Sequence, residues 1–119
     1  SGSGSDDHSS ARKFADEFRE MMKTGDSTKA DELFDPNVRV EVGDKRYHGR
    51  EQAVDWIRHL VDRYDHIEIR IDHITVRGDR ISIVFTVHYE KNGETTYDRY
   101  VMVAVDRNGR AQIKMLRKG

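Results

Sequence analysis

Few side chains in this chain are spaced so that they could do chemistry. Tyr97 and Arg99 stand two apart in an alternating stretch, which places both on its inner face. There a guanidinium and a phenol could orient an acidic or carbonyl-bearing ligand. The commoner account of such a pair is the wet end of a hairpin. Asp72 and His73 sit where strand alternation breaks, and a bulge can re-aim a side chain into a catalytic role. A bulge placed only for curvature explains them as well. Glu68, His88 and Asp98 fall on the outer face, where cross-strand charge pairing competes with a metal or proton-relay reading. Asp55, His59 and Asp62 share one helical face with metal-like spacing. That face lies opposite the apolar one and reads as solvated surface. No inner serine accompanies a histidine and an acid, so no hydrolase triad is expected.

Composition narrows the field further. The 119 residues make one domain, and there is no cysteine to form a disulfide, a thiolate metal site or a thiol nucleophile. Lys+Arg is 21 and Asp+Glu is 22, a net charge of −1, which gives no electrostatic footprint for nucleic acid. No apolar run approaches a bilayer span and no charged-then-apolar secretory signal is present, so a soluble protein of unassigned location is expected, consistent with cytoplasmic recombinant expression. Charged residues make up 36%, against about 25% in ordinary domains. With a single proline and strong turn chemistry in every loop, this is what idealised design chooses. Residues 1–8 read as a flexible leader, and residues 9–119 as the folded domain.

The elements that must position the candidates follow from periodicity. Ala11, Phe14, Ala15, Phe18, Met21 and Met22 form one helical stripe from about Ser9 to Thr24, with Ser9 or Ser10 as cap. Asp26 or Ser27 caps a short second helix carrying Ala30, Leu33 and Phe34, and Pro36 ends it. Val38, Val40 and Val42 alternate as a strand, and a Gly43-Asp44 loop returns Tyr47 opposite Val40. A third helix runs from about Arg50 to Tyr64. A four-strand meander follows, with turns at Gly78-Asp79, Asn92-Gly93 and Asn108-Gly109. Its alternation slips at Asp72-His73 and again near Met115-Leu116, the sign of bulges that bend a sheet. Three-residue loops at the two Asn-Gly turns make the inner faces agree; two-residue loops would set Val105 opposite Gln112. The expected architecture is α+β in the order α-α-β-β-α-β-β-β-β. Three helices lie in a strongly curved, bulged, six-stranded and mostly antiparallel sheet.

This order resembles the nuclear transport factor 2-like superfamily, the cone fold that includes ketosteroid isomerases. Tyr47-His48-Gly49-Arg50-Glu51-Gln52-Ala53 resembles that group's strand-to-helix motif, and Phe34-Asp35-Pro36-Asn37-Val38 its approach to the first strand. The likeness spans about residues 10–117 and is more specific for fold than for function. It implies a pocket. At the positions matching the isomerases' tyrosine and two aspartates stand Phe18, Val42 and Val101. Proton abstraction beside a carbonyl needs a base and an oxyanion donor, so the resemblance argues against that activity. With the composition, the chain is similar to computationally designed members of the superfamily.

The resulting expectation is a scaffold with a mainly apolar pocket for a small hydrophobic molecule, with no cofactor and no metal. Its lining is expected from Phe14, Phe18, Met22, Val42, Trp56, Leu60, Phe85, Val87, Tyr97, Arg99 and Val101. The alternatives are a site installed on Arg99, Tyr97 and His73, or a homodimer through an outer-face patch of Val84, Tyr100, Met102 and Ala104. A monomer is the favoured state.

Overall fold

The computed structural model describes residues 3–119, and side chains from residue 9 onward. Three helices, α1 (Ser3–Thr24), α2 (Ser27–Leu33) and α3 (Arg50–Arg63), pack on a single sheet. Its strands are β1 (Phe34–Val42), β2 (Lys45–His48), β3 (His66–Arg77), β4 (Arg80–Lys91), β5 (Glu94–Arg107) and β6 (Arg110–Lys118). Strand order is β2-β1-β6-β5-β4-β3, antiparallel throughout except for the β1–β6 pair. The expected element order and mixed curved sheet are therefore observed.

Boundaries shift at the N-terminal end. Helix α1 begins at Ser3, so Ser9 and Ser10 lie inside it and cap nothing. The side chains of Asp6 and Asp7, whose charges suit the positive end of a helix dipole, lie outside the described residues. Asp26 does cap α2, its Oδ1 accepting from the Thr28 N–H at 2.9 Å. The helix ends at Leu33, and Phe34 already belongs to β1. Pro36 thus stands in a strand, not at a helix end. It falls in the gap where β1–β6 pairing is interrupted, between Phe34 and Arg39. A residue without an N–H is tolerated there because no ladder bond is asked of it.

Asp35 repairs that gap. Its Oδ1 accepts from the Asn37 N–H at 2.8 Å, and Oδ2 meets the Lys114 ammonium at 3.3 Å. Burial pushes this carboxyl up, but the Asn37 N–H and the Lys114 charge more than offset it, so its pKa lies below the ordinary value. A depressed carboxyl stabilises the fold above its unfolded pKa and loses that contribution as pH falls through the folded one. Asp35→Asn should therefore cost about 1 kcal/mol at neutral pH. The gap to wild type should close below about pH 4, measured by urea unfolding across pH.

The motif at Gly49-Arg50-Glu51-Gln52 proves structural. Gly49 has φ 90°, ψ 163°, a region essentially reserved for glycine. Its N–H donates to the Val38 carbonyl at 2.8 Å. Arg50 Nε donates to the Phe34 carbonyl at 2.7 Å, and Gln52 Oε1 accepts from the His48 N–H at 2.8 Å. Three bonds thus clamp the start of α3 to the β1–β2 hairpin and fix where that helix crosses the sheet.

Strand β3 carries the expected bulge: Ile71 pairs with Phe85 and His73 with Val84, leaving Asp72 extra. A second sits in β6, where Val103 pairs with Met115 but Ala104 with Ile113, leaving Lys114 extra. The Asn-Gly loops differ from expectation. Lys91 pairs with Glu94 and Arg107 with Arg110, so both are two-residue loops, and Val105 does stand opposite Gln112. Asn92, Gly93, Asn108 and Gly109 all have positive φ, as a type I′ turn requires.

That single-residue difference turns β5 over. Residues directly opposite share a face, and a one-residue slip moves every side chain to the other side. Tyr100, Met102 and Ala104 are buried, opposite Phe85, Ile83 and Ile81. Tyr97, Arg99, Val101, Val103 and Val105 point to the convex side. The bulge at Lys114 then restores phase in β6, so that Ile113 and Leu116 also face the core.

Candidate functional site

The interior of the cone is filled. Phe18, Met22, Phe85 and Val87 are fully buried and Phe14 nearly so. Phe85 stacks on Tyr100 (5.4 Å, 9°) and receives the edge of Phe18 (5.0 Å). Tyr100 in turn meets Trp56 at 5.9 Å. These aromatics occupy the volume in which a hollow was expected, so five of the expected lining residues serve packing.

Space remains in a recess of about 290 Å³ beside Phe14, Leu33, Ile81 and Asp106, and in a larger cleft at the opposite end. The larger cleft, of about 820 Å³, opens between α3 and the β1–β2 hairpin. Val42, Leu60, Trp56 and Tyr47 give it apolar and aromatic surface. Trp56 and Tyr47 stand with ring centroids 6.5 Å apart, tilted by 38°. Around them lie Lys45, Arg46 and Arg63 with Asp55, Asp62 and His59. The volume falls within the roughly 300–1,000 Å³ usual for small-ligand sites. Of the expected lining, Val42, Trp56 and Leu60 come together here.

Tyr97, Arg99 and Val101 are elsewhere, and the reason is the reversed face of β5. Tyr97 is 70% exposed and leans on His88 at 6.1 Å on the convex side. Arg99 is opposite Thr86 and contributes charge near Asp72, so its carboxylate neighbour is Asp72. His73 is exposed just past the bulge. These three residues share no cleft. Asp72 itself accepts from the Thr86 hydroxyl at 2.6 Å and from Arg70 Nε at 2.8 Å. The Thr86 bond chiefly, then Arg70, lowers its pKa against the opposing effect of burial. With both oxygens engaged, the bulge carboxylate is a sheet-bending clamp.

The expected outer-face trio also separates. Glu68 and His88 do pair on the convex side, but Asp98 belongs to the concave side with Tyr100 and meets Lys118 at 3.2 Å. Asp55, His59 and Asp62, taken as plain solvated surface, are exposed yet rim the cleft. Among the described residues, no three His, Asp or Glu side chains gather as a metal site. The patch expected from Tyr100, Met102 and Ala104 is core. The convex side instead presents Val84, Val101, Val103 and Val105, each partly exposed.

A polar pair that sequence reasoning missed lies beneath. The Tyr89 and Tyr100 hydroxyls are 3.3 Å apart and buried, and Tyr64 stacks on Tyr89 at 4.5 Å. Burial raises both phenols, Tyr100 to about 12, so both stay protonated across the physiological range. Part of the signal was in the Asn92-Gly93 loop: read as a two-residue turn, it puts Tyr89 and Tyr100 on the same concave face, with Tyr100 opposite Phe85.

A family model for the SnoaL-like domain matches residues 15–112. The chain belongs to the SnoaL-like family. A solved structure described as "Rd1NTF2_04 with long sheet" is 99% identical to this SnoaL-like domain, covering 92% of it and 99% of that chain, with TM-score 0.89. A de novo designed protein with curved beta-sheet is 25% identical, covering 91% and 97%, with TM-score 0.72. A nuclear transport factor 2-like superfamily protein from Salmonella enterica serovar Typhimurium is 16% identical, covers 94% and 91% at TM-score 0.73, and shows the shared fold alone. No curated protein matches the chain. The SnoaL-like domain described here is thus of the de novo designed, curved-sheet kind. Among its described residues no helix is long and apolar enough to cross a membrane.

Proposed function

We propose that this SnoaL-like domain is a scaffold whose cleft between α3 and the β1–β2 hairpin takes a small, flat, hydrophobic molecule, without cofactor and without the proton-abstraction chemistry of ketosteroid isomerases. The observation that carries the reading is the apolar floor that Val42, Leu60 and the packed Tyr47–Trp56 pair, centroids 6.5 Å apart, give to a cleft of about 820 Å³. Aromatic and aliphatic surface supplies affinity by removing apolar area from water, and a few polar groups at the rim fix orientation. The buried inward side chains of β5 at Tyr100, Met102 and Ala104 are not carboxylates, and Asp98 on the same face is held by the Lys118 ammonium at 3.2 Å. Phe18 on α1 supplies no hydroxyl.

Anilinonaphthalene sulfonate is a suitable probe, since its rings match the aromatic pair and its sulfonate suits Lys45, Arg46 or Arg63. Titration should quench the single Trp56 saturably. Leu60→Asp should weaken binding about tenfold, a difference of about 1.4 kcal/mol. Val103→Asp, on the convex face, should leave it unchanged. Quenching that does not saturate, or that ignores Leu60→Asp, would sink the reading.

A further inference from the structure

We propose that the free edge of β3 pairs with the same edge of a second copy, antiparallel, about a twofold axis through Ile69. The sheet has two terminal strands, β2 and β3. Strand β2 is four residues long and begins Lys45-Arg46, a short cationic edge of the kind that resists pairing. Strand β3 has 12 residues and neither proline nor lysine. Helix α1 packs over its concave side but leaves shallow clefts along the edge, between Arg19 and Lys23 on the helix and the stretch His66 to Ile71.

The residues along that edge complement themselves. Antiparallel pairing about Ile69 sets Ile69 against itself, Ile67 against the partner's Ile71, and Glu68 against the partner's Arg70. The faces agree. Ile67, Ile69 and Ile71 lie on the side of Tyr89, Val87 and Phe85, whereas Glu68 and Arg70 lie on the side of His88 and Thr86. By symmetry each of the unlike pairs occurs twice. A slip of one residue mismatches the faces. A slip to either adjacent in-phase centre sets Glu68 on the partner's Glu68, or Arg70 on the partner's Arg70, and like charges directly opposite repel. One register therefore survives, and the bulge at Asp72 ends the regular run just beyond it. Arg70 is 62% exposed and spends only Nε on Asp72, which leaves the rest of its guanidinium for the partner's Glu68. The rim of α1 above carries both signs, Arg19 being paired with Asp16 at 3.5 Å, so it does not forbid the approach.

So short a seam buries less than the roughly 1,200 Å² of a stable complex, and the dimer is weak, with a Kd on the order of 100 µM. Sedimentation equilibrium over a wide concentration range measures it. Glu68→Arg alone, or Arg70→Glu alone, creates four like charges at the seam and should weaken self-association at least about tenfold. Mixing the two variants should restore association, because one then carries two arginines and the other two acids. Restoration also requires both variants to be folded, which circular dichroism confirms separately. Association that survives either single reversal, a mixture that stays monomeric, or association abolished instead by Val103→Lys on the convex face would each overturn the proposal.

Discussion

Met102→Lys should unfold the protein, whereas Val101→Lys should leave it folded. The two residues are neighbours in one strand, and both are apolar. Met102 is fully buried, between Ile83 on β4 and Leu116 on β6, themselves fully buried. An ammonium placed there has no water and no carboxylate partner. It must either hold its charge at a cost of several kcal/mol or shed its proton against a pKa depressed by as much as three to five units. Lost methionine packing adds about 2 kcal/mol. Together these approach the whole stability of a domain, about 5–15 kcal/mol. Val101 stands on the convex face, half in water, where a lysine stem can lie along the sheet and its charge can hydrate. There the cost should stay near 0.5 kcal/mol. Far-ultraviolet circular dichroism at room temperature, followed by urea titration of whichever variant folds, distinguishes the two. The reverse outcome would mean that β5 presents its other face and that the Asn-Gly loops hold three residues.

Phe85→Ala should cost about 3–5 kcal/mol, the largest expected effect of any simple truncation here. Phe85 is fully buried in the aromatic chain Phe18–Phe85–Tyr100–Trp56, face-on to Tyr100 and edge-on from Phe18. Removing the ring deletes its burial and leaves a cavity that the flanking strands cannot close, since both are pinned in register. It also removes two ring–ring contacts worth about 0.5–1.5 kcal/mol each beyond area. Phe85→Leu keeps most of the volume and should lose less than half as much. The measurement is the urea midpoint at unchanged slope, since a changed slope would indicate an altered denatured state. A loss under about 1 kcal/mol for Phe85→Ala would show that this interior is loosely filled, and would return the expected hollow to consideration.

How much of this was legible in advance depended on which residues were asked. The α1 stripe, the Val40–Tyr47 pairing and the break at Asp72-His73 follow from local periodicity, and the structure agrees at each. Helix α2 and strand β1 were blurred because Phe34 fits an apolar position in either, and Pro36 is as compatible with an unpaired strand position as with a helix stop. The faces of β5 were not legible from alternation. In that strand Tyr97, Arg99, Val101 and Val103 read as well as Asp98, Tyr100, Met102 and Ala104 for the inner side, because both phases carry apolar residues. Only the turn could decide, and Asn-Gly supports either loop length. The candidate site inherited this ambiguity. Val42, Trp56 and Leu60 sit on elements whose phase was unambiguous, and they meet at the cleft. Tyr97, Arg99 and Val101 came from the ambiguous strand, and they lie outside.

The sequence by itself determined the secondary elements, their order, the bulge in β3 and the family, because these depend on residues within a few positions of one another. Strand phase across the Asn-Gly turns, and with it the difference between a filled interior and a hollow one, was decided by tertiary structure. Those outcomes turn on how far rings such as Phe18, Phe85 and Tyr100 reach toward each other from elements distant in the chain. Apolar pattern records that a side chain faces inward, whereas the volume left after all of them have packed is a property of the assembled whole.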